Sequence, residues 1–196
     1  MTSTSPTTPL RLGIAGLGTV GAGTIRLLRA NADLIRARAG RPLEVVAVSA
    51  RDRNRDRGVD LSGLNWHDRA EDLVNDPDVD VVVELIGGAE GTARTVVENA
   101  LKAGKPVVTA NKALLALHGP SLARLSAAHN APLLFEAAVA GGIPAIKTVR
   151  EGLAADRLTR VGGILNGTCN YILTVMRETG QAFASVLKDA QELGYA

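Results

Sequence analysis

Short runs of aliphatic and β-branched residues alternate along this chain with longer segments in which alanine and leucine recur at helical spacing. Short apolar runs between turn signals are typical of buried strands, whereas the longer periodic segments predict helices. The pattern predicts strands at 11–15, 43–49, 79–86, 106–109 and 132–136. It predicts helices between them at 20–38, 68–75, 92–103 and 112–129. This alternation indicates an α/β domain with a doubly wound parallel sheet.

The pattern changes after residue 136. A turn rich in glycine and proline is followed by a predicted helix near 143–153, a strand near 157–165 and two helices up to Leu193. We therefore predict a disordered tail over 1–10, a first domain over 11–136 and the incomplete beginning of a second, α+β domain over 137–196. An incomplete second domain should expose apolar side chains along 183–193.

Composition narrows the classes of partner. Of the 196 residues, 46% are hydrophobic and only 3% are aromatic, so the core must be aliphatic. A net charge of +2 without a basic stripe argues against nucleic acid and against a membrane surface. No apolar run is long enough for a membrane span, and the N-terminal tail has no features of a targeting leader, so we expect a cytoplasmic protein.

Cysteine and histidine give no sign of a metal centre. Cys169 is the single cysteine, which excludes an intrachain disulfide and a thiolate-rich metal site. It lacks an activating base nearby in the sequence, so we expect a small buried side chain rather than a nucleophile. His67 and His118 have no metal-ligand spacing and are expected in a loop or at the surface.

A glycine-rich hexapeptide follows the first predicted strand and opens the first predicted helix. In such a G-x-G-x-x-G turn the first glycine permits the bend, the second lets a pyrophosphate approach the backbone, and the third lets the helix pack closely. This context predicts a Rossmann-like, dinucleotide-binding first domain. The alternative is a glycine-rich turn without a ligand. The cofactor contacts predicted here are Gly16, Leu17, Gly18, Thr19, Val20 and Gly21.

The end of the second predicted strand bears on the choice of cofactor. An NAD-specific site offers a carboxylate to the ribose at this point, but here the strand leads into Arg51. An arginine can pair with a 2′-phosphate and stack on adenine, so Arg51 favours NADP(H), with NAD(H) as the alternative. Three further arginines alternate with Asp and Asn after it, which is also the pattern of a solvated loop.

Lys112 is the best single catalytic candidate. The strand at 106–109 should deliver it to the carboxyl edge of the sheet, where ligands of open α/β sheets bind. Oxidation of an alcohol requires a group that accepts or guides the hydroxyl proton, and burial at a helix N-terminus would favour the neutral amine. The alternative is a surface lysine in a helix turn. Glu84, inside a strand that looks buried, needs a partner and is expected to be structural.

A polar turn at 162–174 carries a second candidate site. Asn166, Gly167 and Thr168 offer backbone N–H groups and a hydroxyl just before a predicted helix, where a small polar or anionic substrate could bind. The same residues also suit a helix cap with a glycine bend. The local sequence leaves both interpretations open.

Five segments, taken in order, resemble homoserine dehydrogenases. That family interconverts L-homoserine and L-aspartate 4-semialdehyde with NAD(P), in the branch leading to threonine and methionine. The resemblance covers nearly everything after Pro9 and implies an oxidoreductase with a small-molecule substrate, assembled as a homodimer or homotetramer at full length. Fold likeness alone would also allow another semialdehyde or amino-acid dehydrogenase. The segments are 16–21, 82–88, 109–115, 135–144 and 163–174.

The resemblance also implies roles for individual residues. Lys112 would contact both nicotinamide and substrate, with further cofactor contacts at Thr109 and Gly194. The carboxylate of Glu136 would hold Na⁺, or another monovalent cation, together with three backbone carbonyls. Without the resemblance, this stretch would be interpreted as a linker between domains. The three carbonyls are those of Val139, Gly141 and Ile143.

The last residues bear on activity. In the family, the final helix leads into an acidic turn that binds homoserine and then into a helix with a second essential lysine, neither of which follows Gly194 here. We therefore expect a truncated chain that binds dinucleotide but turns over poorly. The alternative function is a noncatalytic dinucleotide-binding sensor or assembly module.

Overall fold

The computed structural model describes residues 8–164 and 166–195. The chain divides into two compact units, Met1–Gly141 and Gly142–Ala196. The first seven residues of the predicted disordered tail lie outside the described residues.

The first unit is built on a parallel sheet of six strands. Their order across the sheet is β3-β2-β1-β4-β5-β6, and every neighbouring pair is parallel, which confirms the predicted doubly wound α/β fold. The strands are β1 (Leu10–Ala15), β2 (Leu43–Ser49), β3 (Asn65–His67), β4 (Val81–Glu84), β5 (Val107–Thr109) and β6 (Leu133–Leu134). The helices are α1 (Thr19–Ala30), α2 (Ala32–Ala39), α3 (Ala70–Asn75), α4 (Thr92–Lys102) and α5 (Lys112–His129), followed by a 3₁₀ turn at Glu136–Ala138.

Alternate side chains of the strands pack into two aliphatic clusters, one on each face of the sheet. In β4, Val82 belongs to the cluster that contains residues of α3, α4 and α5, whereas Val81 and Val83 belong to the cluster that contains Ile25 of α1. Because side chains of a strand alternate between its faces, such a strand must be apolar throughout. The continuous Val-Val-Val run of β4 is therefore the sequence signal of a strand covered on both sides.

Strands β4 and β6 are shorter than the predicted 79–86 and 132–136, and two further elements of the first unit differ in kind from the prediction. The predicted helix at 20–38 is two helices, because Asn31 leaves helical geometry and its side-chain amide donates to the carbonyl of Leu27 at 3.0 Å. Asparagine competes in this way with the backbone hydrogen bonds of a helix. Strand β3 was predicted as loop, since three residues give too short a pattern to indicate a strand.

Helices dominate the described residues of the second unit. They are α6 (Ala145–Lys147), which continues into a π-helical turn at Thr148–Gly152, then α7 (Gly167–Thr179) and α8 (Phe183–Glu192). The strand predicted at 157–165 is wrong for 157–164, which form no strand, and Leu165 lies outside the described residues. A strand needs a neighbour to accept its hydrogen bonds, and the described part of this unit offers none.

Helices α7 and α8 pack through a small aliphatic cluster. Ile172, Val186 and Ala190 are buried in it. Phe183 and Leu193 remain 56% and 61% exposed, which confirms the expected apolar surface along 183–193. The buried position predicted for Cys169 is wrong: its side chain lies on the exposed side of α7. None of the helices in the described ranges has both the length and the apolarity that a bilayer crossing demands.

A buried carboxylate ties β3 to the turn after α3. Asp76 is 7% exposed and accepts hydrogen bonds from His67 at 2.8 Å, from Asn65 at 3.3 Å and from the N–H of Asp78 at 2.8 Å. Burial opposes the charged form, but these hydrogen bonds, above all that of His67, outweigh it and lower the pKa of Asp76. His67 was predicted as a loop or surface residue, but it lies half-buried in strand β3.

We expect Asp76→Asn to lower the free energy of unfolding by about 1–3 kcal/mol at pH 7, because the amide cannot accept all three hydrogen bonds. Because the pKa of Asp76 is lowered in the folded state, its ionised carboxylate stabilises the fold at pH values above its unfolded-state pKa of about 3.9. This stabilisation is lost as the pH falls through the folded-state pKa. The difference from wild type should therefore shrink in urea denaturation below about pH 4. The exposed Asp72→Asn should change stability by less than about 0.5 kcal/mol at either pH. A deficit for Asp76→Asn that grows on acidification would contradict this account.

Candidate functional site

The candidate site lies at the carboxyl edge of the sheet. Strand order reverses between β1 and β4, since β2 and β3 follow β1 on one side whereas β4, β5 and β6 lie on the other. Ligands of open α/β sheets bind in the crevice outside the strand ends at such a switch point. The segments that leave the sheet here are 16–21 after β1, 85–88 after β4 and 110–112 after β5.

Two glycines of the turn after β1 are required by close packing. Gly16 has φ +104°, and a Cβ there would lie 2.6 Å from the carbonyl carbon and oxygen of Leu85. A Cβ on Gly21 would lie 2.0 Å from the carbonyl oxygen of Gly16. Both distances are far below van der Waals contact, so the turn, the chain after β4 and helix α1 meet without room for a methyl group.

Gly18 differs, because it faces open space. No described atom lies within 4 Å of a Cβ built there. Gly18 is also the N-cap of α1, no side chain of the described residues caps this helix, and its first turn contains no acid. The first N–H groups of a helix have no partner within the helix, and they attract anions. An open, uncapped helix start is thus what a pyrophosphate would need. The remaining residues of the turn at 16–21 are the buried Leu17 and the exposed Thr19 and Val20.

The arginine-rich loop after β2 is anchored to this turn through Arg57. Its Nε donates to the carbonyl of Leu17 at 3.1 Å, and its guanidinium lies 5.5 Å from the Trp66 ring. Arg53 also lies over Trp66, at 5.8 Å. Arg51 is exposed, and no described residue hydrogen-bonds or pairs with its guanidinium. Arg57 therefore shapes the loop, while Arg51 stays available for a ligand.

Lys112 is the first residue of α5. The preceding Asn111 caps the helix, since its Oδ1 accepts from the N–H of Leu114 at 3.0 Å. The side chain of Lys112 is exposed, so the burial expected from the sequence is wrong. The position at the carboxyl edge follows from the parallel pairing of β4 with β5, as predicted.

Behind this edge lies a buried network that sequence reasoning found only in part. Glu84 is fully buried, as predicted, and one of its partners is the hydroxyl of Thr109, which donates to Oε2 at 2.5 Å. The Thr109 hydroxyl also accepts from the N–H of Asn111 at 3.0 Å. Thr109 is itself fully buried, its hydroxyl is engaged within this network, and its contact with a cofactor stays a prediction. The register of β4 with β5 places Glu84 beside Thr109, which a single sequence cannot reveal.

The second polar turn forms a helix cap. Asn166 is the N-cap of α7, and its Oδ1 accepts from the N–H of Cys169 at 2.7 Å. Thr168 donates its hydroxyl to the carbonyl of Tyr195. Gly167 opens the helix, and Gly194 has φ +78° in the turn after α8. The capping interpretation of this turn is confirmed, while substrate binding there stays a prediction.

The residues of the predicted sodium site lie around the end of the first unit. Glu136 opens the 3₁₀ turn, and its carbonyl accepts from the N–H of Val139 at 3.2 Å. Gly141 is the last residue of the first unit, and Ile143 belongs to the second. Within the described ranges, His, Cys, Asp and Glu side chains do not gather in groups of three that could hold a metal ion.

Comparison with known proteins identifies close relatives. The sequence model of the homoserine dehydrogenase NAD binding domain matches residues 16–136, and that of homoserine dehydrogenase matches 144–196. The homoserine dehydrogenases of Neisseria gonorrhoeae and Pseudomonas aeruginosa are 50% and 48% identical over 188 residues, which are 96% of this chain and 43% of each relative. The solved structure of a homoserine dehydrogenase from Thiobacillus denitrificans is 49% identical, with a TM-score of 0.83, and the match covers 97% of this chain and 44% of that one. The chain thus spans less than half the length of these relatives.

Proposed function

Because the chain belongs to the homoserine dehydrogenase family, we propose that it supplies the nucleotide-binding part of an oxidoreductase that interconverts L-homoserine and L-aspartate 4-semialdehyde with NADP(H). This reaction would place the protein in the branch of amino-acid biosynthesis that leads to threonine and methionine. We assign the dinucleotide-binding domain to 11–136 and the substrate domain to 137–196, in a protein that is a homodimer or homotetramer at full length.

The open glycine turn is the observation that carries this proposal. Gly18 presents an uncapped helix start to open space at the switch point of the sheet. The turn binds the pyrophosphate through its N–H groups, and the partial positive charge of the α1 dipole favours the phosphates. The residues present fit a dinucleotide for this reason.

Lys112 acts on the substrate side of the site. A bound NADP⁺ would supply the acceptor for the hydride that leaves the alcohol carbon of homoserine. The alcohol must also lose its hydroxyl proton, and the amine of Lys112 orients this hydroxyl or accepts the proton. Asn111 holds the start of α5 and with it the backbone of Lys112. Asn166, Gly167 and Thr168 bind the amino acid, and Gly194 contacts the cofactor, as the resemblance implies.

Arg51 sets the preference for NADP(H). Its exposed guanidinium has no hydrogen-bond or ion-pair partner among the described residues. Arg51 comes just after β2, where the 2′-phosphate of NADP(H) would lie. We expect Arg51→Ala to raise the dissociation constant for NADPH by about 10–100-fold, since a hydrogen bond between charged groups contributes about 1.5–3 kcal/mol. The dissociation constant for NADH should change by less than about threefold. Isothermal titration calorimetry with both nucleotides measures this difference.

The matched control is Arg55→Ala. Arg55 is exposed in the same loop, and its carbonyl, rather than its guanidinium, takes part in the contact with Arg57. Its removal should leave both dissociation constants within about threefold of wild type. Equal losses of NADPH affinity in the two variants would assign the effect to general loop charge and contradict a specific phosphate contact.

We also propose that Glu136 and the carbonyl oxygens of Val139 and Gly141 bind Na⁺ or another monovalent cation, as the resemblance implies. A carboxylate with backbone carbonyls forms the oxygen-only donor set that hard cations prefer. The fourth implied ligand, the carbonyl of Ile143, belongs to the second unit. Thermal unfolding in sodium chloride, compared with tetramethylammonium chloride of equal ionic strength, would detect stabilisation by the cation that Glu136→Gln removes.

A further inference from the structure

We propose that the carboxylate of Glu84 is a positioning residue that holds two segments of the nucleotide site together, the chain after β4 and the start of α5 that carries Lys112. The inference rests on the proposed function and deepens it. Among the described residues, the side chain of Glu84 hydrogen-bonds to neither the turn at 16–21 nor Lys112, so its effect is transmitted through the backbone.

The first oxygen of Glu84 holds the chain after β4. Its Oε1 accepts from the N–H groups of Ile86 and Gly87, at 2.8 and 3.0 Å. These donors belong to the turn in which Gly87 and Gly88 both have φ +84°. The same stretch sets the glycine-rich turn, because Leu85 and Ile86 are the neighbours that leave no room for a Cβ on Gly16.

The second oxygen holds the chain after β5. Its Oε2 accepts from the hydroxyl of Thr109, which in turn accepts from the N–H of Asn111. Asn111 then closes the network, because its Nδ2 donates to the carbonyl of Gly88 at 2.6 Å while its Oδ1 caps α5. The turn after β4 and the first residues of α5 are thereby joined through a single buried side chain.

A buried carboxyl group is costly unless hydrogen bonds compensate for its lost hydration, so an apolar residue would be the simpler choice for this strand. The three preceding residues of β4, Val81, Val82 and Val83, are apolar and buried. Glu84 is fully buried and has donors from two separate strand ends. Such a network specifies a geometry that packing alone would leave loose, and loss of alignment by about 1 Å at a reacting group can cost a factor of about 100 in rate.

The test measures how well bound NADP⁺ shields Lys112 in the 196-residue chain. Lys112 is exposed, so an acetylating reagent should modify it, and mass spectrometry of the peptide gives the rate. In wild type, saturating NADP⁺ should slow acetylation of Lys112 by about tenfold or more, because the proposed site would bring the bound cofactor against this exposed amine. Calorimetry gives the dissociation constant of NADP⁺, and thermal unfolding reports on the fold.

Glu84→Gln and Thr109→Val are the informative variants. Thr109→Val removes the hydroxyl that donates to Glu84, and Glu84→Gln leaves an amide that cannot accept on both sides of the network; both nearly keep the shape of the side chain. We expect NADP⁺ to slow acetylation of Lys112 by less than about threefold in both, at a nucleotide concentration about tenfold above each variant's own dissociation constant. Thr109→Ser retains the hydroxyl and should restore full shielding. Glu98→Gln removes a carboxylate on α4 that pairs with Arg94, and should behave as wild type.

Full shielding in Glu84→Gln and Thr109→Val would overturn the positioning role. If Glu84→Gln does not fold, the comparison of Thr109→Val with Thr109→Ser decides, since they differ in the hydroxyl that Glu84 accepts from. Equal loss of shielding in both threonine variants would also overturn the proposal. Failure of the proposed function is a separate result, because wild type itself would then show no shielding by NADP⁺.

Discussion

Replacement of Lys112 by alanine is expected to slow homoserine oxidation by about 10²–10⁴-fold, the range associated with loss of a positioned acid–base group. The dissociation constant of NADPH should change by no more than about threefold, because we propose that the turn after β1, rather than Lys112, holds the phosphates. The rate is measured in a chain extended to the length of its relatives, which are more than twice as long as this one.

The matched control is Lys102→Ala. Lys102 lies at the end of α4, is exposed and pairs with Glu98 at 3.7 Å. Because such a surface pair contributes little, its removal should leave the rate of homoserine oxidation unchanged. A Lys112→Ala variant as active as Lys102→Ala would rule out a catalytic role and favour the noncatalytic dinucleotide-binding module instead.

Alanine in place of Gly21 should lower the free energy of unfolding by about 3 kcal/mol or more. Inside a helix this substitution normally stabilises by about 0.5–1 kcal/mol. Here the new Cβ would lie 2.0 Å from the carbonyl oxygen of Gly16, a backbone atom that cannot move without opening the turn. The steric cost therefore exceeds the gain in helix propensity.

Gly18→Ala provides the contrasting result. Its Cβ would meet no described atom within 4 Å, and its φ of −74° suits any residue, so stability should stay within about 0.5 kcal/mol of wild type. Urea denaturation of the two variants measures the difference. Similar stabilities for Gly18→Ala and Gly21→Ala would show that the close approach of α1 to the turn is not as described.

Much of the fold could be predicted because its elements carry strong local patterns. Strand β2 and helix α5 have the bounds predicted, since β2 is a run of apolar and β-branched residues and α5 follows a capping asparagine. Strand β3 could not be found, because three residues that include Trp66 and His67 lack any periodicity. The strand predicted at 157–165 is absent over 157–164 for a different reason: local β-propensity forms no ladder without a neighbouring strand.

The candidate site was predictable where it depends on the backbone. Glycines at fixed spacing after a strand indicate a particular turn, so the turn at 16–21 followed from the sequence. Parallel strands bring their carboxyl ends to one edge of the sheet, so the position of Lys112 followed as well. Side-chain partners were not predictable in this way. The bond between Glu84 and Thr109 depends on the register of β4 with β5, and the cluster around Asp76 depends on a strand that the sequence did not reveal.

The central claim is that a dinucleotide lies over the turn at 16–21. Calorimetric titration of the 196-residue chain with NADPH tests this claim most directly when the Gly18→Ala variant is titrated beside wild type. The account predicts a single saturable site in wild type and a dissociation constant raised by about tenfold or more in Gly18→Ala, since the methyl group occupies the space that the pyrophosphate needs. No saturable binding to wild type, or equal affinity in the two proteins, would contradict it.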